Sequence, residues 1–342
     1  MTDRRADVRV GTSGWHYPSG QGTWNDIFYP PSRGRPKGFD ELVFYAEHFN
    51  TVELNTTFYG QPRADVSRAW VERTPEGFEF SVKLYQKFTH PRMFAERVKA
   101  SLASTAEGGT PDDDGQAASV RAQDEAVIRE LGRPVLADLD EFKRGIEPLA
   151  SSLKLGALLA QFPASFKKGD AEMEYLATLL RAFYGYRMAV ELRHASWSAA
   201  LGDTLSLLND YEAAWVQIDE PKFAFSIAQN FLPNVKGFYY MRLHGRNRAQ
   251  WWHHERPEDR YNYLYSADEL APITETANAA RSLVRKMYLY TNNHYSAKSV
   301  ANAAMIKHQL GELLPGEYPP SFIDRYPELR SLVQQVGQSR LV

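Results

Sequence analysis

Eight short runs rich in β-branched and aromatic residues recur along the chain, and most intervals between them carry a helical pattern. The runs are 8–15, 51–59, 79–85, 155–163, 186–194, 213–221, 238–245 and 286–295. Strands that alternate with helices predict parallel strands joined by crossover helices. Eight such units across nearly the whole chain predict an α/β fold, a closed (β/α)8 TIM barrel, as a single domain of residues 1–342.

An open, doubly wound sheet is the alternative fold. Such a sheet normally begins with a glycine-rich turn that binds phosphate at the start of a helix. The early candidate turn, Gly11-Thr-Ser-Gly14, is too short for this role, and no convincing helix follows it. The sequence therefore favours the barrel.

Several helices are predicted from apolar spacing and from capping residues. Apolar residues at three- and four-residue spacing predict helices over 39–49 and 173–183. Ser266, with Glu269 three residues later, predicts a capping box that begins the helix before the last strand. We also expect a helix over 296–314 and a short one over 328–336, whereas 221–238 shows little periodicity.

Two segments depart from the strand and helix repeat. Residues 101–133 contain GGTPDDDG and many Ala, Ser and Gln residues, a composition of low hydrophobicity that predicts a flexible insertion after the third strand. A solvated excursion and a lid over the site are both open interpretations. Residues 315–342 are predicted to form a C-terminal extension packed on the barrel.

Composition excludes several classes of protein. The chain has no cysteine, so disulfides, thiolate metal sites and cysteine nucleophiles are excluded. Its 40 Lys and Arg against 42 Asp and Glu exclude an entirely basic surface for nucleic acid but permit a local basic patch. No apolar run approaches the roughly 18 residues of a membrane span, and residues 1–7 lack an apolar core of a signal peptide. We expect a cytoplasmic protein with no membrane partner; the oligomeric state is open.

Side-chain alternation along the strands predicts a polar lumen. In a barrel one set of alternating side chains faces the helices and the other faces inward. Val190 and Leu192 fit the helix-facing set, which leaves Glu191 and Arg193 inward. The same test sends a polar side chain inward on every strand, mostly near the C-terminal end, where barrel enzymes have their active sites. The inward acids are Glu53, Glu191 and Asp219, and the inward bases are Arg9, Lys83, Arg193 and Arg242.

These inward groups predict an enzyme that acts on a small anionic or polyhydroxylated substrate, such as a sugar phosphate or a nucleotide fragment. Carboxylates and histidine suit proton transfer, and cations suit negative charge. The predicted catalytic residues are Glu53, Lys83, Glu191, Asp219 and His244. The predicted substrate-binding residues are Ser13, Trp15, Asn55, Gln161, Arg193, Arg242, Arg246, Asn292 and His294. The residues do not resolve a hydrolase from an isomerase, and an ion-pair network that only stabilises the barrel is the alternative.

The same inward residues bear on two further possibilities, a divalent metal site and glycoside hydrolysis. The lumen holds ligand types for a divalent metal, namely Glu53, Glu191, Asp219, His244 and His294. Lys83, Arg193 and Arg242 share the lumen and oppose a bound cation, so no metal site is predicted and the cofactor is left unassigned. A glycosidase needs two carboxylates that flank the bond. The positions after strands four and seven, where many barrel glycosidases have them, hold Gln161 and His244.

Nucleic-acid binding is the second class of function that the sequence leaves open. Trp251-Trp252-His253-His254-Glu255-Arg256 interleaves aromatic and basic residues after the seventh strand. Trp15, His16, Tyr17 and Trp24 follow the first strand. Aromatic rings that stack on bases, beside cations that contact phosphates, are typical of single-strand binding. The alternative is that the tryptophans pack loops over the rim.

Eight motifs extend over nearly the whole chain. They are GTSGWHYPSG at 11–20, WNDIFYP at 24–30, FNTVELNTTFYGQP at 49–62, FEFSVKLYQKFTH at 78–90, LLAQFP at 158–163, VELRHASW at 190–197, YYMRLHGR at 239–246 and YLYTNNHYSAKSVANA at 288–303. Together they resemble the domain-of-unknown-function 72 family of YecE-like proteins, with residues 104–134 poorly matched. The resemblance implies a (β/α)8 barrel and implies no reaction.

That family has been compared by fold with barrels similar to endonuclease IV and xylose isomerase, which use Glu, Asp and His around divalent metals. The comparison implies a third function, metal-dependent phosphodiester hydrolysis or sugar isomerisation. The chain departs from such a site because Lys83, Arg193 and Arg242 stand among its ligand types.

Overall fold

Two parallel sheets, built from successive strand and helix units, form the centre of the structure. The computed structural model describes residues 6–31, 33–105, 126–127, 130–229, 237–253 and 255–337. In order, the first sheet contains β1 (Asp7–Thr12), β9 (Lys286–Thr291), β8 (Tyr239–Leu243) and β7 (Gln217–Asp219). The second contains β2 (Thr51–Leu54), β3 (Glu79–Lys83), β4 (Leu155–Gln161), β5 (Met188–Glu191) and β6 (Ala214–Trp215). Each of the eight predicted runs contains an observed strand.

The two sheets approach each other at two places. Strands β6 and β7 are consecutive in the chain and are separated by Val216: Trp215 pairs with Val190 of β5, whereas Gln217 pairs with Met241 of β8. On the opposite side a single parallel bridge joins Ser13 to Glu53. The structure therefore shows an α/β fold with parallel sheets, and its hydrogen-bonded ladder is not the continuous closed sheet that the sequence predicts.

Helices follow most of the strands. Their bounds are α1 Glu41–His48, α2 Thr56–Tyr59, α3 Ala64–Glu72, α4 Gln86–Thr89, α5 Pro91–Thr105, α6 Leu136–Ser151, α7 Asp170–Ala182, α8 Ala195–Ala199, α9 Leu201–Asp210, α10 Ala267–Arg281, α11 Lys298–Gln309 and α12 Pro320–Arg325. The predicted capping box at Ser266 is confirmed, because its side chain accepts from the Glu269 amide at 3.2 Å. No helix within the described ranges is long and apolar enough to cross a membrane.

The C-terminal segment differs from the predicted short helix over 328–336. A 3₁₀ turn at Pro327–Leu329 is followed by β11 (Gln334–Gln335), which pairs with β10 (Glu317–Tyr318). The helix prediction is wrong, because the backbone of Gln334 and Gln335 pairs with β10 instead of forming helical hydrogen bonds. The Phe322 ring lies 5.5 Å from that of Phe28, so the segment packs beside the loop after β1.

Two predicted features lie mainly on residues that are not described. The predicted insertion at 101–133 falls mostly outside the described ranges; within them, α5 continues to Thr105. Residues 230–236, in the interval of little periodicity, also lie outside them.

Tyrosines fill the space between the strands below the charged residues. Tyr290 Oη donates to Ser81 Oγ at 2.9 Å and lies 2.6 Å from Thr51 Oγ1. Tyr288 Oη donates to Glu79 Oε2 at 2.6 Å, and both tyrosines are buried. Because buried hydroxyls need partners, these bonds link β2, β3 and β9 across the interior. This layer supports the charged residues nearer the C-terminal strand ends.

Candidate functional site

A pocket of about 880 Å³ lies at the C-terminal ends of the strands. Six of its polar residues lie at or just after the C-terminal ends of different strands, namely Asn55, Lys83, Gln161, Arg193, Arg242 and Asn292. Its aromatic residues come from loops and from short helices after the strands and are Trp15, Tyr17, Phe58, Tyr59, Trp70, Trp251, Trp252 and Tyr261. Parallel strands bring these positions together, since their C-terminal ends meet at one edge.

Arg242 joins two buried carboxylates beneath the pocket. Its Nη2 lies 2.7 Å from Glu53 Oε1, and its Nη1 lies 2.5 Å from Glu191 Oε2. The same Nη1 donates to Gln161 Oε1 at 2.8 Å. Ser13 Oγ and Tyr240 Oη each donate to Glu53 at 2.7 Å. Glu53 therefore has donors on both carboxylate oxygens.

Glu191 has further cationic and polar neighbours. Arg193 contacts Glu191 Oε1 at 2.6 Å and Glu220 Oε2 at 3.4 Å. Burial raises the pKa of the Glu191 carboxyl, but the Arg242 and Arg193 guanidiniums outweigh burial and hold that pKa well below its usual range. Glu191 is therefore a carboxylate at neutral pH, fixed between two guanidiniums.

His244 is enclosed in the same network. Its Nε2 lies 3.5 Å from Glu191 Oε1, and Asn292 Nδ2 lies 3.0 Å from its Nδ1. Arg193 Nη2 lies 3.3 Å from the same Nε2, so the imidazole is held between Glu191, Arg193 and Asn292. Burial lowers the pKa of His244, so its ring is neutral at neutral pH.

Lys83 faces the pocket without a carboxylate partner. Its Nζ lies 4.1 Å from the centre of the Phe58 ring, and no described carboxylate oxygen lies within ion-pair distance of it. Burial, and then the nearby Arg242 guanidinium, lower the pKa of the Lys83 ammonium to about 7. A large fraction of this side chain is therefore the free amine at neutral pH.

Two further histidines line the pocket as neutral rings. Burial lowers the pKa of His90 to about 3 and that of His294 to about 4. His294 stacks on Tyr17, with ring centres 4.4 Å apart, and lies 4.9 Å from Tyr261. Neither histidine adds positive charge to the pocket at neutral pH.

The charge of the pocket lining has one sign. Four arginines line it, namely Arg73, Arg193, Arg242 and Arg260, together with Lys83, which is partly protonated at neutral pH. Among the described lining residues there is no aspartate or glutamate. The carboxylates of Glu53 and Glu191 lie behind the lining and contact guanidiniums. The pocket therefore presents cations, amides and aromatic faces to a ligand.

The predicted site residues fall into three groups. Eight line the pocket, namely Trp15, Asn55, Lys83, Gln161, Arg193, Arg242, Asn292 and His294. Four are buried behind or beside the lining, namely Ser13, Glu53, Glu191 and His244. The other two, Asp219 and Arg246, pair with each other through both carboxylate oxygens at 2.8 Å. Asp219 also accepts from Tyr265 at 2.7 Å, and neither residue lines the pocket.

The position of Asp219 corrects the predicted alternation on the sixth strand. Trp215 pairs with Val190, Gln217 with Met241 and Asp219 with Leu243, and these partners alternate with the inward Glu191 and Arg242, so Gln217 and Asp219 face outward and the predicted alternation of this strand is wrong. Gln217, expected inward, accepts from Tyr239, whose neighbour Tyr240 is the residue that reaches Glu53. The acid that reaches the buried network from this segment is Glu220, through Arg193.

Sequence reasoning did not assign several lining residues. For Tyr17 the sequence predicts only stacking on a base. It makes no prediction for Arg73, His90, Arg260 and Tyr261. They lie in helices or loops, where strand alternation gives no signal. Alternation does place Tyr240 inward with Arg242, a signal that would have found the partner of Glu53.

The donor set does not fit a metal centre. Within the described ranges no three His, Asp or Glu side chains are grouped as metal ligands. Glu53 and Glu191 already contact Arg242, and a metal ion there would stand against the guanidinium charge.

The chain matches the family described as "Protein of unknown function DUF72" over residues 9–321. The chain belongs to the DUF72 family. It is 27% identical to the UPF0759 protein YunF of Bacillus subtilis over 325 residues, which cover 91% of this chain and 96% of that protein. The UPF0759 protein YecE of Escherichia coli K12 is 28% identical over 174 residues, about half of each chain (49% and 48%).

A solved DUF72 structure from Thermotoga maritima has a TM-score of 0.66 and 30% identity, and the match covers 90% of this chain and 100% of that one. One from Enterococcus faecalis has a TM-score of 0.66 at 21% identity, with 91% and 98% covered, and shows the fold alone. The DUF72 fold is therefore shared, and no reaction comes with it.

Proposed function

We propose that the pocket binds a small anionic ligand and that this DUF72 protein is an enzyme whose substrate carries a phosphate or carboxylate group. The observation that supports the proposal is the pocket lining, with four arginines, a partly protonated Lys83 and no carboxylate among its described residues. Cations that line a partly enclosed pocket favour the binding of an anion, because water screens their attraction for the ligand less there than at an open surface.

We assign roles to the lining from its chemistry. Arg193 and Arg242 are held by buried carboxylates, so their remaining N–H groups are pre-oriented toward an anion. Asn55 and Asn292 offer neutral hydrogen bonds, and the Asn55 Oδ1 has no partner in the described structure. Lys83 is the group whose proton affinity suits transfer at neutral pH.

We further propose that the two sheets together form the wall of a (β/α)8 barrel. The bridge between Ser13 and Glu53 and the continuous segment through Val216 support this closure. The pocket would then occupy the C-terminal mouth, the usual place for the active site of such a barrel.

A single-stranded nucleic acid is the second candidate ligand. Trp252 lines the pocket, is 54% exposed and lies 6.2 Å from the Phe225 ring, which is also exposed. Arg248 lies 5.5 Å from the neighbouring Phe223 ring. Exposed rings beside a cation favour bases and phosphates, so a nucleotide chain that ends in the pocket fits the rim.

Matched anionic and neutral probes test the proposal. We expect ribose 5-phosphate and AMP to raise the melting temperature, whereas ribose and adenosine at equal concentration leave it unchanged. Lys83→Met removes a pocket cation and should weaken the binding of both phosphate esters. Lys87→Met is the control, because Lys87 pairs with Asp138 at 2.8 Å and does not line the pocket.

Equal shifts with phosphorylated and neutral probes would contradict the proposal, as would shifts that Lys83→Met leaves intact. A short single-stranded oligonucleotide that binds far more tightly than AMP, with an affinity that falls steeply with salt, would favour the second candidate.

A further inference from the structure

We propose that Lys83 is a covalent catalytic residue and that the substrate is an aldehyde or ketone that also carries the phosphate or carboxylate group. This inference rests on the proposed function, since the same cationic pocket would hold the anionic group. It adds a substrate class and a reaction intermediate, an imine between Lys83 Nζ and the carbonyl carbon.

The backbone at Lys83 is firmly placed. Lys83 is the last residue of β3, where it pairs with Leu159 of β4. Its carbonyl accepts from Thr57 Oγ1 at 2.6 Å, which ties it to α2. A side chain that begins at the end of a paired strand is well positioned for a reacting atom.

The surroundings of the amine distinguish Lys83 from other buried lysines. Lys154 Nζ donates to Val71 O, Thr74 O and Thr74 Oγ1 at 2.6–3.0 Å, which occupies its hydrogens. Lys307 Nζ donates to the His48 carbonyl at 3.2 Å. Lys83 Nζ instead faces the Phe58 ring and the open pocket.

The nearby carboxylates do not hold Lys83 as an ammonium. Glu53 and Glu191 lie behind the lining and contact Arg242 at 2.7 and 2.5 Å. Arg242 thereby forms ion pairs with both acids, and its own positive charge lies near Lys83. Burial and a neighbouring cation are the two conditions that make a lysine a good nucleophile at neutral pH.

The chemistry needs no external oxidant or reductant. The nitrogen lone pair forms a bond to the carbonyl carbon, the C=O π electrons move to oxygen, and a proton transfers from nitrogen to that oxygen. Loss of this hydroxyl with one more proton releases water and leaves the protonated imine. Addition of water reverses both steps and restores the amine.

His90 lies in the same part of the pocket, but its pKa of about 3 makes it a weak base at neutral pH, so solvent water supplies and accepts the protons in these steps. The His90 ring is neutral at neutral pH, lines the same pocket and lies 5.0 Å from the Phe58 ring that also faces Lys83. Its Nδ1 lies 2.9 Å from Thr89 Oγ1, which fixes the ring.

Pyridoxal 5′-phosphate tests the inference because it carries both an aldehyde and a phosphate. The full-length protein is incubated with a limiting amount of it at neutral pH, reduced with borohydride and mapped by peptide mass spectrometry. We expect labelling of Lys83 about tenfold or more faster than labelling of Lys87. Inorganic phosphate should slow it by competition.

Two arginine variants provide the controls. Lys83→Arg keeps a positive charge but cannot form the adduct, and it should lose the rapid labelling. Lys87→Arg should label as the unaltered protein does. Rapid labelling that persists in Lys83→Arg would overturn the inference.

Labelling of Lys83 no faster than of surface lysines, with ribose 5-phosphate binding intact, would overturn the imine step alone. Failure of ribose 5-phosphate, AMP and inorganic phosphate to bind at all would instead remove the proposed function on which the inference rests. The two failures are thus distinguishable.

Discussion

Arg242 Nη2 lies 2.7 Å from Glu53 Oε1, and neither side chain is more than 1% exposed. The same guanidinium contacts Glu191, so a single cation joins acids from β2 and β5, and Arg193 supplies the second positive charge at Glu191. Taking charges out of water costs several kcal/mol per ion, and the cost is offset only when the geometry is complete. The ion pairs of Arg242 therefore have two effects. They link the strands, and they hold the acids behind the lining so that cationic side chains face the pocket.

Replacement of Arg242 is the first prediction. Arg242→Met leaves Glu53 buried without its ion pair, and we expect the free energy of unfolding to fall by about 3–5 kcal/mol. Urea denaturation at pH 7 measures it. Arg246→Met is the control: Arg246 pairs with Asp219 but its side chain is 36% exposed, so a loss of about 1 kcal/mol is expected. Equal losses in the two variants would contradict the role of burial.

Measurements at acid pH should reveal how much the Glu191 carboxylate contributes to the free energy of unfolding. Burial raises the pKa of Glu191, but Arg242 and Arg193 lower it more, so the folded-state pKa lies below the unfolded one. The carboxylate therefore stabilises the fold above the unfolded pKa, and this contribution disappears as pH falls through the folded pKa.

We expect the difference in unfolding free energy between the unaltered protein and Glu191→Gln to shrink from about pH 5 to about pH 3. Asp65→Asn, at the exposed pair with Arg63, should show a small difference throughout. A difference for Glu191→Gln that stays constant with pH would be inconsistent with the depressed pKa.

Lys83 should show linkage of the same sign as Glu191, but on the alkaline side. The groups that act on its pKa, after burial, are Arg242, Glu191, Glu53 and Arg193, and the outcome is a pKa of about 7. Between this value and the unfolded pKa the unfolded chain binds more protons, so stability rises with pH in this window. We expect the unfolding free energy relative to Lys83→Met to rise between pH 7 and about pH 10. A flat or falling difference would indicate an ordinary lysine.

Gly11 tests the approach of β1 to β2. A Cβ at this position would lie 2.2 Å from the Thr51 carbonyl oxygen and 3.0 Å from Tyr45 Oη. Gly11→Ala should therefore push the strands apart and lower the unfolding free energy by about 3 kcal/mol. Gly60→Ala, with no atom within 4 Å of its Cβ and no positive φ, should change it by less than about 0.5 kcal/mol. A tolerated Gly11→Ala would argue against closure of the barrel here.

Regular strands made part of the site predictable. Alternation places Glu53, Lys83 and Arg242 inward, and the observed contacts agree with these orientations. The same alternation fails at Asp219, because the apolar Val216 and Ile218 lie on the inward face of the sixth strand, whereas apolar character predicts the outward face for them.

Other properties of the site depend on contacts between distant segments. Spacing along the chain does not show that Arg242 forms ion pairs with both buried acids. It therefore does not show that the described lining of the pocket contains no carboxylate. Loops contribute Tyr17 and Tyr261, which enclose His294 between them. Loops have no periodic signal, so such residues are found only from the folded structure.

Trp252 separates ligands with an aromatic base from other phosphate esters. We expect Trp252→Ala to weaken AMP binding roughly tenfold, because stacking contributes about 1–3 kcal/mol per base, and to leave ribose 5-phosphate binding unchanged. Calorimetric titration measures both. Tyr184→Ala removes a ring that is 83% exposed and outside the pocket, and it should alter neither affinity. An equal loss for both ligands would place Trp252 in phosphate binding instead of stacking.

The most direct test of the anion pocket is a crystal soaked in tungstate, a tetrahedral dianion with strong anomalous scattering. We expect an anomalous peak within hydrogen-bond distance of Lys83 Nζ and the Arg193 guanidinium, and no such peak in crystals of Lys83→Met. Tungstate bound only at surface sites, with the pocket of the unaltered protein empty, would contradict the claim that this pocket is built for an anion.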